Sequence, residues 1–329
     1  MALLINLVAN ILLTLSAIAF KTSTNGYFTF LLIMVATSAI ATSLQQNGLF
    51  SLVSGYGREE YVQGILAGQG IAGVAPCIVQ IISVLSVSQH DAERGNIGNP
   101  AQSAFAFFLT AVGVSLVSIL AFGYLIRRHG QRESIKGSEQ PVEGDQPLIS
   151  RRENVSLVVL FWKLKYFATA LFLCFALTMV FPVFAQEIYS VTPEDQAPRL
   201  LQKATFIPLA LLVWNTGDVL GKSATLIPAI RLTNMPRLAL AAAIGRSLFI
   251  PLFLLCNIKG RGAVIQSDLF YLVIVQFLFG LTNGWLGSAC MMAAPHWVDD
   301  SEKEAAGGFM GLVLVSGLTA GGLLSFVIP

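Results

Sequence analysis

Asp218 and Lys222 stand four residues apart in the stretch 206–228, which carries no other charge. Residues at that spacing share one face of a helix. A charge inside a lipid-spanning helix costs about 2.5–3.5 kcal/mol on insertion scales. The face is therefore expected to look into a bundle interior or a water-filled path rather than at lipid. Asn215 lies three residues before Asp218 and joins the same face. Two readings stay open: a structural ion pair, or a site for a polar substrate or ion.

Three further groups interrupt apolar stretches. Arg246 sits in the middle of 238–256, with Pro251 five residues on. A proline kink frees carbonyls, and an arginine can bond them. Arg246 thus reads as an anchoring or gating residue, with direct substrate contact as the alternative. Gln45, Gln46 and Asn47 form a polar patch in 27–53. Side-chain amides offer donor and acceptor together, which suits a nucleobase edge or a bond between helices. Gly68, Gln69, Gly70, Ile71, Ala72 and Gly73 spell a dinucleotide-binding fingerprint. That fingerprint needs a preceding strand and a helix opening at the glycines, whereas here it lies in the middle of a chargeless stretch. With Gly64 it reads instead as a small-residue face, Gly64 and Gly68 being four apart, at which helices approach closely.

Metal and nucleophile chemistry find little support. Cys77, Cys174, Cys256 and Cys290 lie in four different apolar stretches with no metal-ligand spacing. They read as reduced packing residues. His90, His129 and His296 occur in three separate polar connections. No enzyme activity, metal or cofactor is expected.

These residues sit in a chain of 329 residues, 55% apolar and 12% charged, with a mean hydropathy of +0.71. A soluble domain carries about 25% charged residues. The composition is that of an integral membrane protein whose first partner is the lipid bilayer. A formal net charge of +2 gives no reason to expect a nucleic-acid partner.

A spanning helix needs about 20 apolar residues. Nine stretches satisfy this: 1–20, 27–53, 61–87, 103–126, 166–184, 206–228, 238–256, 269–294 and 307–328. They are too long and continuous for barrel strands, so the expected class is an all-α polytopic membrane protein. No basic region precedes the first stretch, so a signal peptide is not expected. Residues 127–165 are polar, rich in Gly, Ser, Glu, Gln and Pro, and unable to bury a core. They are read as a flexible loop between an incomplete N-terminal bundle of four spans, 1–126, and a C-terminal bundle of five, 166–329. The loop contains Arg127, Arg128, Arg132, Lys136, Arg151, Arg152, Lys163 and Lys165. Basic residues favour the cytoplasmic side, which places the loop there, the N-terminus inside and the C-terminus outside or in a lumen. The sequon Asn154-Val155-Ser156 is then cytoplasmic and unmodified.

Several segments, in order along the chain, resemble the equilibrative nucleoside transporters. They are Ala67 to Gly73, Asn215 to Ser223 (Asn-Thr-Gly-Asp-Val-Leu-Gly-Lys-Ser), Arg246 to Asn257, Thr282-Asn283-Gly284-Trp285-Leu286 and Glu304-Ala305-Ala306-Gly307. The resemblance implies a major-facilitator-like pair of helical bundles that moves nucleosides, with nucleobases as a further class, by alternating access. Rival expectations are a different carrier of the major-facilitator type and a truncated, non-transporting paralogue. That family has eleven helices, with its large loop after the sixth. The match therefore implies that two N-terminal helices are missing and that polar positions such as Asn6 and Asn10 lack partners. By the same resemblance Gln46 and Asp218 contact the nucleoside, and Lys222 stands where the family usually has arginine. Ribose hydroxyls can donate to the carboxylate and accept from the ammonium. Thr42 takes the place of a small residue one turn before Gln46, which alters the pocket expected there. Residues 143–149 resemble an acidic dileucine signal with altered spacing, which leaves the plasma membrane and a vacuole- or lysosome-like membrane as the two expected residences.

Overall fold

The computed structural model describes residues 1–19, 23–86, 100–136, 155–194 and 196–326. Among them lie nine helical segments: α1 (Ala2–Ala19), α2 (Thr24–Gly55), α3 (Glu59–Ser86), α4 (Pro100–Lys136), α5 (Leu157–Glu187), α6 (Lys203–Ala224), α7 (Pro236–Leu254), α8 (Phe270–Trp297) and α9 (Lys303–Ser325). Helices of this length satisfy every internal backbone group, as a lipid environment demands. Eight helices among the described residues are long and apolar enough to cross a membrane, and the apolar part of α1, Ala2–Ala17, is shorter. The protein is an all-α polytopic membrane protein. The extended pairing among the described residues is an isolated bridge between Ile188 and Ile258, joining two loops.

Most helices overrun the apolar stretches that announce them, because a stretch ends at the first charge and a helix need not. Residues 127–136 and 157–165, expected in the polar loop, belong to α4 and α5. Two of the lysines that suggested a loop, Lys163 and Lys165, have local partners. Lys163 Nζ reaches Asp299 Oδ2 at 2.8 Å and Glu302 Oε2 at 2.5 Å. Lys165 Nζ lies 5.3 Å from the ring centroids of both Trp162 and Tyr166. The centre of the loop, with Asn154 and the 143–149 signal, lies outside the described residues.

Contacts divide the chain into two compact units, Met1–Gly48 with Gln89–Arg152, and Leu49–Ser88 with Glu153–Pro329. This grouping differs from the chain-order division at 127–165, because α3 and the last turns of α2 pack with the C-terminal helices. In the first unit α1 packs on α4. A cavity of about 320 Å3 there is lined by neutral polar residues, among them Asn6, Asn10, Thr42, Gln45 and Ser115, together with Leu3 and Val114. Asn6 and Asn10, expected to lack partners, have them: Asn6 Nδ2 donates to Thr42 Oγ1 at 3.1 Å and Asn10 Nδ2 to Ser115 Oγ at 3.4 Å.

In the second unit α6 packs mainly on α8 and α3, and α9 on α5. One core holds Phe167, Leu171, Leu286 and Met310, and a second is aromatic, with Phe181, Phe253 and Phe279. The α6–α8 contact depends on missing side chains. A Cβ at Gly217 or Gly221 on α6 would strike the carbonyl of Phe277 or Leu281, and one at Gly280 or Gly284 on α8 would strike that of Trp214 or Asp218. Each helix thus presents two glycines, four residues apart, to the backbone of the other, the arrangement that lets helices meet most closely. On α3, Gly70 and Gly73 of the expected small-residue face pack against α6, and Gly64 and Gly68 do not. Among the described residues a Cβ at Gly64 or Gly68 would meet nothing within 4 Å, whereas Gly70 faces Val219 and Gly73 faces the Asn215 side chain. The stripe that meets α6 is therefore 70–73, and Gly68 lies off it.

Candidate functional site

The α6–α8 seam fixes the height and rotation of Asp218. Its side chain is 6% exposed and that of Lys222 is 12% exposed, with Lys222 Nζ 2.7 Å from Asp218 Oδ2. The ion pair, one of the two readings the spacing left open, is formed. An ammonium has three donors, and among the described residues Lys222 meets one acceptor. On the α3 side, Gln63 Nε2 donates to the Lys222 carbonyl at 2.7 Å, and Gln63 Oε1 accepts from Thr225 Oγ1 at 3.2 Å. These bonds tie the C-terminal end of α6 to α3. Asn215 turns to α3 as well. Its Nδ2 donates to the Leu211 carbonyl at 2.8 Å and approaches Cys77 Sγ at 3.7 Å. Asn215 is thus not in contact with the ion pair.

The other carboxylate oxygen is held from α8. Asn283 Nδ2 donates to Asp218 Oδ1 at 2.7 Å. Asn283 Oδ1 in turn accepts from Thr178 Oγ1 on α5 at 2.7 Å and from an Arg246 guanidinium N–H at 3.0 Å. The same guanidinium nitrogen is 2.8 Å from Cys174 Sγ, and the guanidinium carbon lies 4.6 Å from the centroid of the Phe279 ring. Arg246, Asn283 and Asp218 are each less than 5% exposed. The backbone carbonyls near the Pro251 kink were the expected partners of Arg246. The structure instead gives it side chains of α5 and α8, and Arg246 opens a 3-10 turn, Arg246–Leu248, of which it is the buried residue.

The sequence does not single out Asn283, Thr178 and Cys174 as site residues, although Asn283 lies in a segment that resembles the family and Cys174 reads as a packing residue. A lone Asn, Thr or Cys in an apolar helix is ordinary, and only the crossing of α5, α7 and α8 behind α6 brings the three together. The four cysteines are unpaired and buried, yet Cys174 faces a cation rather than a purely apolar core.

The amide patch of α2 does not act as one face. Gln45 lines the polar cavity of the first unit, Gln46 does not, and Asn47 Oδ1 is buried with no hydrogen-bond partner among the described residues. Successive helical residues are about 100° apart, so three in a row cannot share one surface. Gln46 itself is half-buried.

Comparison with known proteins adds to this geometry. The chain is 30% identical to nucleoside transporter FUN26 of Saccharomyces cerevisiae over 91% of its own length and 64% of that protein. It is 28% identical to human equilibrative nucleoside transporter 1, over 87% of this chain and 65% of the relative. It is 27% identical to equilibrative nucleotide transporter 1 of Arabidopsis thaliana, over 89% and 62%. The chain thus spans a little under two thirds of the length of these relatives. The match to the nucleoside transporter family runs over residues 32–329 and so takes in every helix of the second unit. A polytopic helical chain with a buried, ion-paired carboxylate on a glycine-packed helix, matched over that range, belongs to the nucleoside transporter family.

Proposed function

We propose that this chain carries nucleosides across a membrane by facilitated alternating access, with nucleobases as a second substrate class. Asp218 and Lys222 hold ribose hydroxyls in this reading. The carboxylate accepts from one hydroxyl and the ammonium donates to another. The observation that carries it is the ion pair itself, almost wholly buried, with N–H donors on Lys222 beyond the one that meets Asp218. A charge-assisted hydrogen bond of this kind contributes about 1.5–3 kcal/mol, roughly ten- to a hundredfold in affinity. Asn215, one turn away and bonded toward α3, shapes the approach on that side. Gln46 is assigned to the base by family resemblance. Arg246 and the glycines Gly70 and Gly73 serve the packing that holds α6, whereas a β-carbon at Gly68 would meet nothing within 4 Å among the described residues. No covalent step belongs to this function, and the named residues bind rather than react.

The topology that accompanies this reading places the long polar segment in the cytoplasm. The residence is the plasma membrane or a vacuole-like membrane, which fluorescence imaging of the tagged chain distinguishes. The decisive experiment is radiolabelled uridine uptake in cells lacking endogenous uptake, normalised to protein in the membrane. Asp218→Asn is expected to cut uptake strongly at unchanged abundance. Uptake by Asp218→Asn equal to that of the unsubstituted chain makes the pair a purely structural one and removes the proposed site.

A further inference from the structure

Asn283 links two groups of opposite hydrogen-bonding character. A guanidinium has only donors and an ionised carboxylate only acceptors. Of the two ends of the Asn283 amide, the oxygen must therefore face Arg246 and the NH2 must face Asp218. The amide has one allowed orientation, set chemically at both ends. Thr178 strengthens it by donating to the same oxygen at 2.7 Å. Arg246 is itself held on other sides, with its guanidinium carbon 4.6 Å from the Phe279 ring centroid and a guanidinium nitrogen 2.8 Å from Cys174 Sγ.

A buried arginine present only to neutralise Asp218 would be expected to touch it. Here an amide stands between the two, and an amide of fixed direction transmits position as well as charge. The NH2 group meets Asp218 Oδ1 at 2.7 Å, while Oδ2 is left to Lys222 at 2.7 Å. The carboxylate is thereby held from behind, with its second oxygen and Lys222 turned to the same side.

We infer that Arg246 and Asn283 are positioning residues for substrate: Arg246, acting through the Asn283 amide, sets the orientation in which Asp218 and Lys222 meet the ribose. This rests on the proposed assignment of Asp218 and Lys222 to substrate. Neither Arg246 nor Asn283 touches the cargo. Their effect on affinity exists only while Asp218 is there to be oriented.

That dependence gives the test, equilibrium binding of radiolabelled uridine to membranes containing the full chain. Arg246→Met and Asn283→Leu are each measured alone and in an Asp218→Asn background. Each single change is expected to weaken binding about tenfold. In the Asp218→Asn background neither should weaken it further beyond about twofold, the usual error of additivity between independent sites. Arg246→Lys keeps an obligate donor toward Asn283 and should recover part of the affinity. If Arg246→Met fails to reach the membrane, Thr178→Val removes one donor to the Asn283 oxygen with every charge in place, and a several-fold loss confined to the Asp218 background is expected. Wild-type affinity in Arg246→Met and Asn283→Leu overturns the inference. So does an equal loss in both backgrounds, which marks a general packing role. The two readings fail differently. If Asp218→Asn binds uridine as tightly as the unsubstituted chain, or the unsubstituted chain binds no more than membranes without the protein, the substrate assignment falls. If Asp218→Asn weakens binding and Arg246→Met does not, only the positioning role falls.

Discussion

The backbone carbonyl of Asp218 occupies the space that a β-carbon at Gly284 would need. The proposed substrate carboxylate and the α8 glycine are therefore one constraint. Gly284→Ala must push α8 off α6 or rotate α6. Overpacking of this kind costs about 1–3 kcal/mol. The purified protein should melt several degrees lower, and uridine affinity should fall with it. Gly68→Ala, where a β-carbon meets nothing within 4 Å among the described residues, should leave both unchanged. Equal melting temperatures for the two variants would show that the seam tolerates a methyl group.

Lys222 should be replaceable by arginine and not by alanine. Arginine keeps the cation beside Asp218 and adds donors, whereas alanine leaves a buried carboxylate without its cation, a loss of about 3–5 kcal/mol for a buried pair. Uptake normalised to membrane abundance should rank the unsubstituted chain and Lys222→Arg well above Lys222→Ala. Gln46→Ala should shift preference among uridine, adenosine and inosine more than it shifts overall uptake. An unchanged base preference removes Gln46 from the site.

The start of α5 is tied to the α8–α9 connection through Lys163. The bond from Lys163, with the attraction of its ammonium, holds the Asp299 carboxyl below the usual carboxylate range. A carboxyl lowered by folding contributes stability above its ordinary value of about 4, and that contribution is lost as pH falls through the lowered value. Asp299 is 78% exposed, so Asp299→Asn should lower the melting temperature at pH 7 by about a degree. The difference should close as the pH is brought toward 3. Lys163→Met should cost more, because it also strands Glu302, which is 13% exposed. A difference that widens in acid would contradict the sign of this linkage.

The topology is open to a direct test. A protease site placed within 136–146 should resist protease added to sealed right-side-out vesicles and be cut only after permeabilisation. Asn154 should carry no glycan. Cleavage from the outer face, or a glycan on Asn154, reverses the assigned orientation.

The helices were legible in the sequence because a run of about 20 apolar residues has few other uses. The Asp218–Lys222 pair was legible because two opposite charges one turn apart in such a run need one another. The α5 start was not, since Lys163 and Lys165 read as loop until Asp299, Glu302 and two aromatic rings are seen beside them. The glycine stripe of α3 was half legible. The spacing of Gly64 and Gly68 marked a small-residue face, but a helix with glycines at 64, 68, 70 and 73 offers more than one. Only Val219 and Asn215 on α6 show which face is used. Asn283 was hidden for a similar reason, as its neighbours come from α5, α6 and α7.

A carrier in a membrane that stores an ion gradient must not become a wire for protons. Protons cross lipid along continuous files of water, and a file needs a gap wide enough for one molecule. Between α6 and α8 the four glycines bring one backbone onto the other, and at those four positions there is no room even for a methyl group. The charged cluster of Asp218, Lys222 and Arg246 can sit deep in the protein without inviting a water thread through this wall. The insulation comes from side chains that are not there, and even a single methyl group at Gly221 or Gly284 should be assayed for proton conductance as well as for stability.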